Sequence, residues 1–600
     1  VKALIVTSSE FDSAIDPTDG AGYKTRNMRA RIEMEQLDVD AYIDATAVAS
    51  STDSTTTVSQ THDNVRIPNA INYATFEDGR LPLNETFKSM PASGFRNIGW
   101  WSDNLCDANG DFTVAETLTY TWTSDRSSVG ATIIFNGRPN EYAKAFTIKY
   151  YDASDVLLET VTETANTETN YLSSTPVANY RKMVISFTTW AIPYRRARVV
   201  EVLFGLLKVY DDTTLGSVKI TEELDISTEE LTKNILEFSV NNSTQEYDPI
   251  NPSGIFEYIQ KRQKATTYIG VVLADSSVEY APTGVFYLVD WTSARTGQAK
   301  FTTSFTAHDR IELLDVIYRK GRYATDSIGN LIEDILTEAG VTSAKWDIET
   351  ALYSIDITTY LKVDTVRNLL HELCLASQSV CRVDRYDVIR IYQETIASDS
   401  EEITQEKAQE PEIKLLPVIY DVSVDYYSYE VATGITQVHA STRTISSTVD
   451  VWVEHTSPID HTTCLATVTG GTLNSATYYA CSSLLNITAS GSVDITLDGY
   501  ALEEYVTPVT VLSGEEDGDS IAVSLSNVTN EIQATNIADW LIANGARRKE
   551  FNVSWKQNPA LEVGDEVSLD SQFGASTGCT IVSQTFEYHG GLKGTTIARK

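Results

Sequence analysis

The chain has 600 residues, 83 of them acidic and 46 basic, and a formal net charge of −37. That balance is the opposite of a basic nucleic-acid-binding protein's, and it serves either solubility alone or a surface from which phosphates slide away. With 42% hydrophobic and 22% charged residues the chain builds packed cores rather than a solvated, disordered polymer, and its length calls for about four folded units.

Val1–Thr7 is apolar over too few residues for a secretory signal, so cytoplasmic synthesis is expected. The longest apolar run, Val199–Val209, carries Glu201 and Lys208 and is too short to span a bilayer. Residues 1–95 read as an N-terminal β region, with an early basic strand over Lys24–Met34 and a Ser/Thr-rich loop at 50–61. From 96 to 205, Thr117–Trp122, Ala145–Tyr150 and Lys182–Phe187 alternate apolar and polar residues with period two. Turn clusters such as Asn136–Asn140 bound them, which predicts a compact, jelly-roll-like β-sandwich.

Residues 206–324 return to strands, and Gly284–Trp291 with Phe301–Ala307 predicts a long hairpin. A small α+β domain is expected at 325–415. Ile328, Leu331, Ile332, Ile335 and Leu336 recur at helical spacing, with Asp326 as N-cap and Gly340 as stop; Val366, Leu369, Leu370 and Leu373 repeat the pattern after Asp364. A strand at Val388–Tyr392 and a linker over Asp399–Pro411 follow. Residues 416–535 read as a β-rich, polar insertion. Finally, 536–600 gives a short helix, Asn536–Asn544, with Ile537, Trp540 and Leu541 on one face, and closing strands. The fold class is mainly β and multidomain. No solenoid period is present.

Several fragments invite a catalytic reading. Gly574–Gly578 matches G-x-S-x-G, but a nucleophile elbow needs strand, turn and helix. Here Glu566–Leu569 and Cys579–Val582 give strand, turn and strand, and only Glu587 and His589 follow Ser576 as acid and base. His371-Glu372-Leu373-Cys374-Leu375 begins like H-E-x-x-H but has Leu375 in place of the second ligand, so His371 reads as an ordinary helix residue. Gly22-Tyr23-Lys24-Thr25 lacks the glycine that a phosphate loop needs. Paired carboxylates are too common in so acidic a chain to nominate a glycosidase pair. No catalytic residue and no cofactor is assigned, and a non-enzymatic protein is expected.

Asp107, Asn109 and Asp111 set three oxygen side chains at alternating positions, which is calcium-loop chemistry. Phe112 and Leu118 stand where an EF-hand needs Gly and Glu, so the choice lies between a tight polar turn and a looser structural calcium site. The six cysteines, at 106, 374, 381, 464, 481 and 579, form no C-x-x-C, which argues against structural zinc. They read as buried thiols, with a Cys464–Cys481 pair as the alternative. Trp100, Trp101, Trp122 and Trp190 all fall in the 96–205 sandwich. They serve either its core or an aromatic platform for sugar rings, whose CH-rich faces suit a flat apolar surface.

An ordered set of segments resembles one family. Asn558–Val567 and His589–Gly594, with Asn544–Lys549 before them, look like the closing helix and last β-barrel of tail-tip or baseplate-hub proteins of tailed bacteriophages and prophages. Arg26–Glu33 looks like their basic opening strand. Ile98–Asp103 followed by Asp107–Phe112 is similar to the opening of an inserted, galactose-binding-like sandwich. Ser239–Ser243, Tyr247–Pro249 and Ser253–Phe256 resemble the first hub barrel, and His308–Leu314 resembles its exit.

The resemblance implies hub-type β-barrels at 206–324 and 536–600, a homo-oligomer, most simply a trimer, and a pseudo-six-fold ring around a DNA channel. It implies as partners the tail tube, distal tail proteins, the tape-measure protein and receptor-binding or fibre proteins. DNA would pass through the lumen without specific binding, the protein would reside in the virion tail tip, and no membrane span is needed. Many such proteins carry a wall hydrolase or fibre downstream; with the sequence reaching Lys600 just after the last barrel, no wall-degrading activity in cis is expected. The competing readings are a glycan-binding adhesin acting on host surface sugars through the 96–205 sandwich, and a glycosidase.

Overall fold

A computed structural model describes all residues except 1–4, 6, 16–25, 39–40, 54–55, 64–98, 136–140, 225–230, 249, 252–258, 296–300, 394–400, 404–410, 516 and 570–576. The turn at 136–140, the phosphate-loop-like fragment at Gly22–Thr25, Ser253–Phe256, Ser576 and most of the 399–411 linker lie outside the described residues. The described chain is mainly β, with several sheets and separate cores.

The sandwich has two sheets. One is ordered Thr46–Ala49, Asp111–Ser128, Val177–Trp190, Ala143–Tyr151, Leu157–Glu163; the other Trp100–Leu105, Arg196–Leu203, Ala131–Phe135, Asn170–Ser173. Alternation decides which residues face inward: Leu118, Tyr120 and Trp122 from one strand meet Met183, Ile185 and Phe187 from the next in one core.

A second assembly is one continuous sheet of 13 strands. Its first half runs through Gly205–Tyr210, Met28–Leu37, Lys264–Val272, Val278–Arg295, Phe301–His308, Ile235–Asn241 and Leu215–Glu223. The predicted hairpin is present, with Leu288 opposite Ala307 and Trp291 opposite Phe305 around a bulge between Leu288 and Asp290. The second half comprises Thr577–Tyr588, Leu592–Arg599, Lys549–Trp555 and Glu412–Leu415, with Glu566–Leu569 and Glu401–Ile403 branching from it.

The halves surround different cores. Ile32, Phe238, Phe286 and Phe305 fill the first; Val553, Trp555, Val567 and Ile581 fill the second. The first half curls round until its ends meet. There Tyr588 Oη donates to Asp212 Oδ1 at 2.6 Å, and the same carboxylate oxygen accepts the Ala30 N–H at 3.1 Å. Strand Thr577–Tyr588 serves both lobes, giving Ile581 to one core and Phe586 and Tyr588 to the other.

Helices Ile328–Glu338, Val366–Ala376 and Glu531–Gly545 share a third core. The N-cap of the first is Ser327, not Asp326. Ser327 Oγ accepts from the Asn330 N–H at 3.2 Å, while Asp326 braces the Asn330 side chain at 2.8 Å. The second helix repeats the device with Thr365, Asp364 and Asn368. Asp precedes the cap in both because it can hold the asparagine that the cap leaves free. Gly340 ends the first helix at φ +76°, as its lack of a Cβ allows. The third helix is longer than the sequence indicates. Its Ile537 and Leu541 pack beside the other two helices, and Trp540 packs against this core and that of the last strands.

From this helical core leave two very long strands, Ile419–Ile445 and Gly491–Leu512, paired antiparallel from Asp421–Leu512 to Ile445–Gly491. They end in a small β unit with its own core around Val451, Ile487 and Ile495.

Candidate functional site

A buried polar cluster lies where the two lobes and the helical unit meet. Alternation along Leu215–Glu223 turns Val218, Ile220 and Glu222 inward, so a carboxylate occupies a core position. Its register partner Gln584 is likewise inward, between Ile581 and Phe586. Gln584 Nε2 donates to Glu222 Oε2 at 2.5 Å and to the Leu561 carbonyl at 2.8 Å.

Into this seam reaches the turn between strands Ser379–Val383 and Ile389–Gln393. Arg385 Nε donates to Glu222 Oε1 at 2.8 Å and Nη2 to Oε2 at 3.2 Å. Its remaining N–H groups donate to the carbonyls of Pro282, Pro559 and Leu561. Arg382 Nη1 donates to Glu562 Oε2 at 2.7 Å. All four charged side chains are almost fully buried. Burial works against the Arg382 charge, yet Glu562 and its neighbours hold its pKa above the ordinary arginine value.

A second cluster fixes the same turn from its other side. Asp387, with φ +68°, accepts from Arg310 Nε at 2.9 Å and from Tyr287 Oη at 3.0 Å, and pairs with Lys345 Nζ at 3.0 Å. Burial and then the Asp387 charge raise the Tyr287 pKa, so its hydroxyl stays a donor. Asp309, next to Arg310, caps the short helix Arg310–Leu314 and accepts the N–H groups of Ile311 and Asn234 at 3.1 and 2.9 Å. Burial pushes its carboxyl up to about 7.

These groups are paired with one another in a buried seam. The arrangement ties three units together; every Arg385 nitrogen and Arg382 Nη1 donate to carboxylates or carbonyls, which suits clamping rather than proton transfer.

The residues singled out from sequence do not gather here. Trp100, Trp101, Trp122 and Trp190 are all buried in the sandwich. Trp122 Nε1 donates to the Ala41 carbonyl at 2.8 Å, and Trp100 Nε1 to the Ser51 carbonyl at 2.9 Å. Arg198 covers Trp101 at 4.3 Å from the ring centre. A stacking platform needs an exposed ring face, and all four rings are buried in this structure.

Asp107 Oδ1 accepts the backbone N–H groups of Asn109 and Asp111 at 2.8 and 2.9 Å, and Asp111 Oδ1 accepts from Thr189 Oγ1 at 2.7 Å. Those backbone bonds hold the Asp107 carboxyl below its usual pKa, and the spacing follows from a tight turn. His371 is half-buried on its helix beside Leu375. All six cysteines are free, and Cys464 and Cys481 are not joined.

The Arg385 cluster was missed because its members are single charges scattered along the chain. One signal was present: Glu222 and Gln584 occupy inward positions of otherwise apolar alternations. The stretch 558–567, prominent in the sequence, supplies the carbonyls of Pro559 and Leu561 and the carboxylate of Glu562.

No protein-family model and no curated protein matches the chain. Solved structures similar to it include the prophage MuSo2 43 kDa tail protein from Shewanella oneidensis, at 11% identity and TM-score 0.39, covering 65% of this chain and 94% of that one. Prophage tail protein gp18 from Listeria monocytogenes EGD-e aligns at 11% identity and TM-score 0.33, over 65% of this chain and 91% of that one. Over a smaller part, the family 32 carbohydrate-binding module of C. perfringens NanJ, solved with galactose, aligns at 14% identity and TM-score 0.18, covering 29% and 96%.

Proposed function

We propose that this chain is a structural protein of a bacteriophage tail tip or baseplate hub. It closes into a ring around the DNA channel, most simply as a trimer, and joins the tail tube to distal tip or receptor-binding proteins. The observation that carries this reading is the single sheet passing through two cores and clamped by the buried Arg385 cluster. Such a body keeps two lobes at a fixed angle, which ring closure requires. The ordered resemblance of sequence segments to hub proteins supports it, and a net charge of −37 suits a wall past which DNA slides.

The two ends of the sheet supply surfaces for closure. Among the described residues, strand Glu412–Leu415 ends it on one side, with Ile413 and Leu415 each 61% exposed, and Gly205–Tyr210 ends it on the other, where Thr132 Oγ1 of the sandwich already bonds the Gly205 carbonyl and the Leu207 N–H and Val209 is exposed. An open edge such as that of Glu412–Leu415 can join strands of neighbouring subunits. The burial of Trp100, Trp101, Trp122 and Trp190 favours this reading over the glycan-binding alternative.

Native mass spectrometry of the full chain tests the proposal. A closed ring of three copies is expected, and Ile413→Glu with Leu415→Glu should shift the population to monomer without changing the circular dichroism. A wild-type chain that stays monomeric at micromolar concentration would overturn it.

A further inference from the structure

A different sheet edge carries an inference independent of the ring. Strand Gly491–Leu512 is paired on one side with Ile419–Ile445. Its other side is covered by Leu465–Thr469 over Asp494–Asp498. The cover continues as the Tyr500 carbonyl accepts the Asp460 N–H at 3.0 Å and the Leu502 N–H donates to the Pro458 carbonyl at 2.9 Å. Past Leu502 no strand pairs with that side among the described residues. Backbone groups of alternate residues point the same way, so the open ladder continues at Glu504, Val506 and Thr510, with Pro508 offering only its carbonyl.

The side chains on this edge are unusual for a free surface. Glu503 to Pro508 are all exposed, with Tyr505 at 49% and Val506 at 47%. Glu503 stands directly opposite Glu430, and Glu504 follows on the other face. Like charges directly opposite destabilise a pair of strands. Tyr505 Oη donates to Glu503 at 3.1 Å, but no ion pair engages Glu430, Glu503 or Glu504 among the described residues. Pairing this edge with its own copy about a two-fold axis would add more carboxylates to the same place, which argues against self-association.

We propose that the edge from Glu503 to Thr510 is a docking strand for an extended segment of a different protein, bearing two adjacent basic residues beside two adjacent apolar ones. Neighbouring residues of a strand face opposite ways. One basic residue therefore meets Glu504, and the other meets Glu503 with Glu430. The apolar pair covers Val506 on one face and Tyr505 on the other. Main-chain bonds to the open ladder supply affinity, and the charges supply selection.

Fluorescence anisotropy of the full chain with a labelled peptide TTKKVVTT, against TTEEVVTT, tests this. The wild type should bind the basic peptide in preference to the acidic one, and Glu503→Lys with Glu504→Lys should reverse the preference. Val506→Pro removes an outward N–H without touching the ladder to Ile419–Ile445, and should weaken binding at least about tenfold. The proposal falls if neither peptide binds, if the charge reversal leaves the preference unchanged, or if Val506→Pro binds as the wild type does. It also falls if sedimentation shows that Val506→Pro abolishes self-association, since the occupant would then be a second copy.

Discussion

Glu222 and Gln584 are register partners on adjacent strands that belong to different lobes, and both side chains point into the seam between them. Their hydrogen bond at 2.5 Å makes the boundary between the lobes a polar one. Arg385, arriving from the helical unit, neutralises it.

Breaking that pair on one side should be costly. Arg385→Met leaves Glu222 buried without its cation, with an expected loss of about 3–5 kcal/mol. The double variant Arg385→Met with Glu222→Met should recover part of it, because no charge is left unpaired, while the Pro282 and Pro559 carbonyls lose their donor. Urea unfolding, with hydrogen exchange read over 215–223 and 577–588, measures both.

Asp309 gives a pH dependence of defined sign. Its folded pKa of about 7 lies above the unfolded value. The folded state therefore keeps a proton that the unfolded chain releases at about pH 4. This contribution to stability is complete below about pH 4 and is lost as the pH rises to about 7, on the order of a few kcal/mol. Asp309→Asn should flatten that part of the stability curve. A slope between pH 4 and 7 equal to the wild type's would refute the assignment.

Trp122 packs edge-on against Phe204 and Tyr180, with ring centres 4.9 and 5.3 Å away. Trp122→Ala should destabilise the sandwich by about 3–5 kcal/mol by opening a cavity and leaving the Ala41 carbonyl without its donor. Thermal unfolding followed by hydrogen exchange over 100–203 localises the loss, which should leave the lobes protected.

Two glycines near the C-terminal strands should behave oppositely. A Cβ on Gly594 would stand 1.8 Å from the Thr585 carbonyl oxygen and 2.2 Å from Gln557 Oε1, so Gly594→Ala must push the ladder apart. Gly591 has nothing within 4 Å, and Gly591→Ala should change stability by less than about 0.5 kcal/mol. Denaturation midpoints of the two variants give the comparison.

The strands were legible along the chain, because the period-two pattern of Leu118–Tyr120–Trp122 or of Val218–Ile220 is a local property that burial on one face imposes. So were the helices near 328 and 366, whose apolar spacing is local too. The cap of the first helix is Ser327 rather than Asp326, since Asp and Ser are both good caps and only the position of Asn330 decides between them.

What joins the parts could not be read in this way. Arg385 and Glu222 are 163 positions apart and Gln584 and Glu222 are 362 apart, and no pattern along the chain links them. The four tryptophans carry the same lesson. Their type allows either a sugar platform or a core, and only the packing of the two sheets buries Trp100 from one and Trp122 and Trp190 from the other. The tertiary structure decided these matters because burial and charge pairing belong to surfaces brought together by folding, whereas alternation belongs to each strand alone.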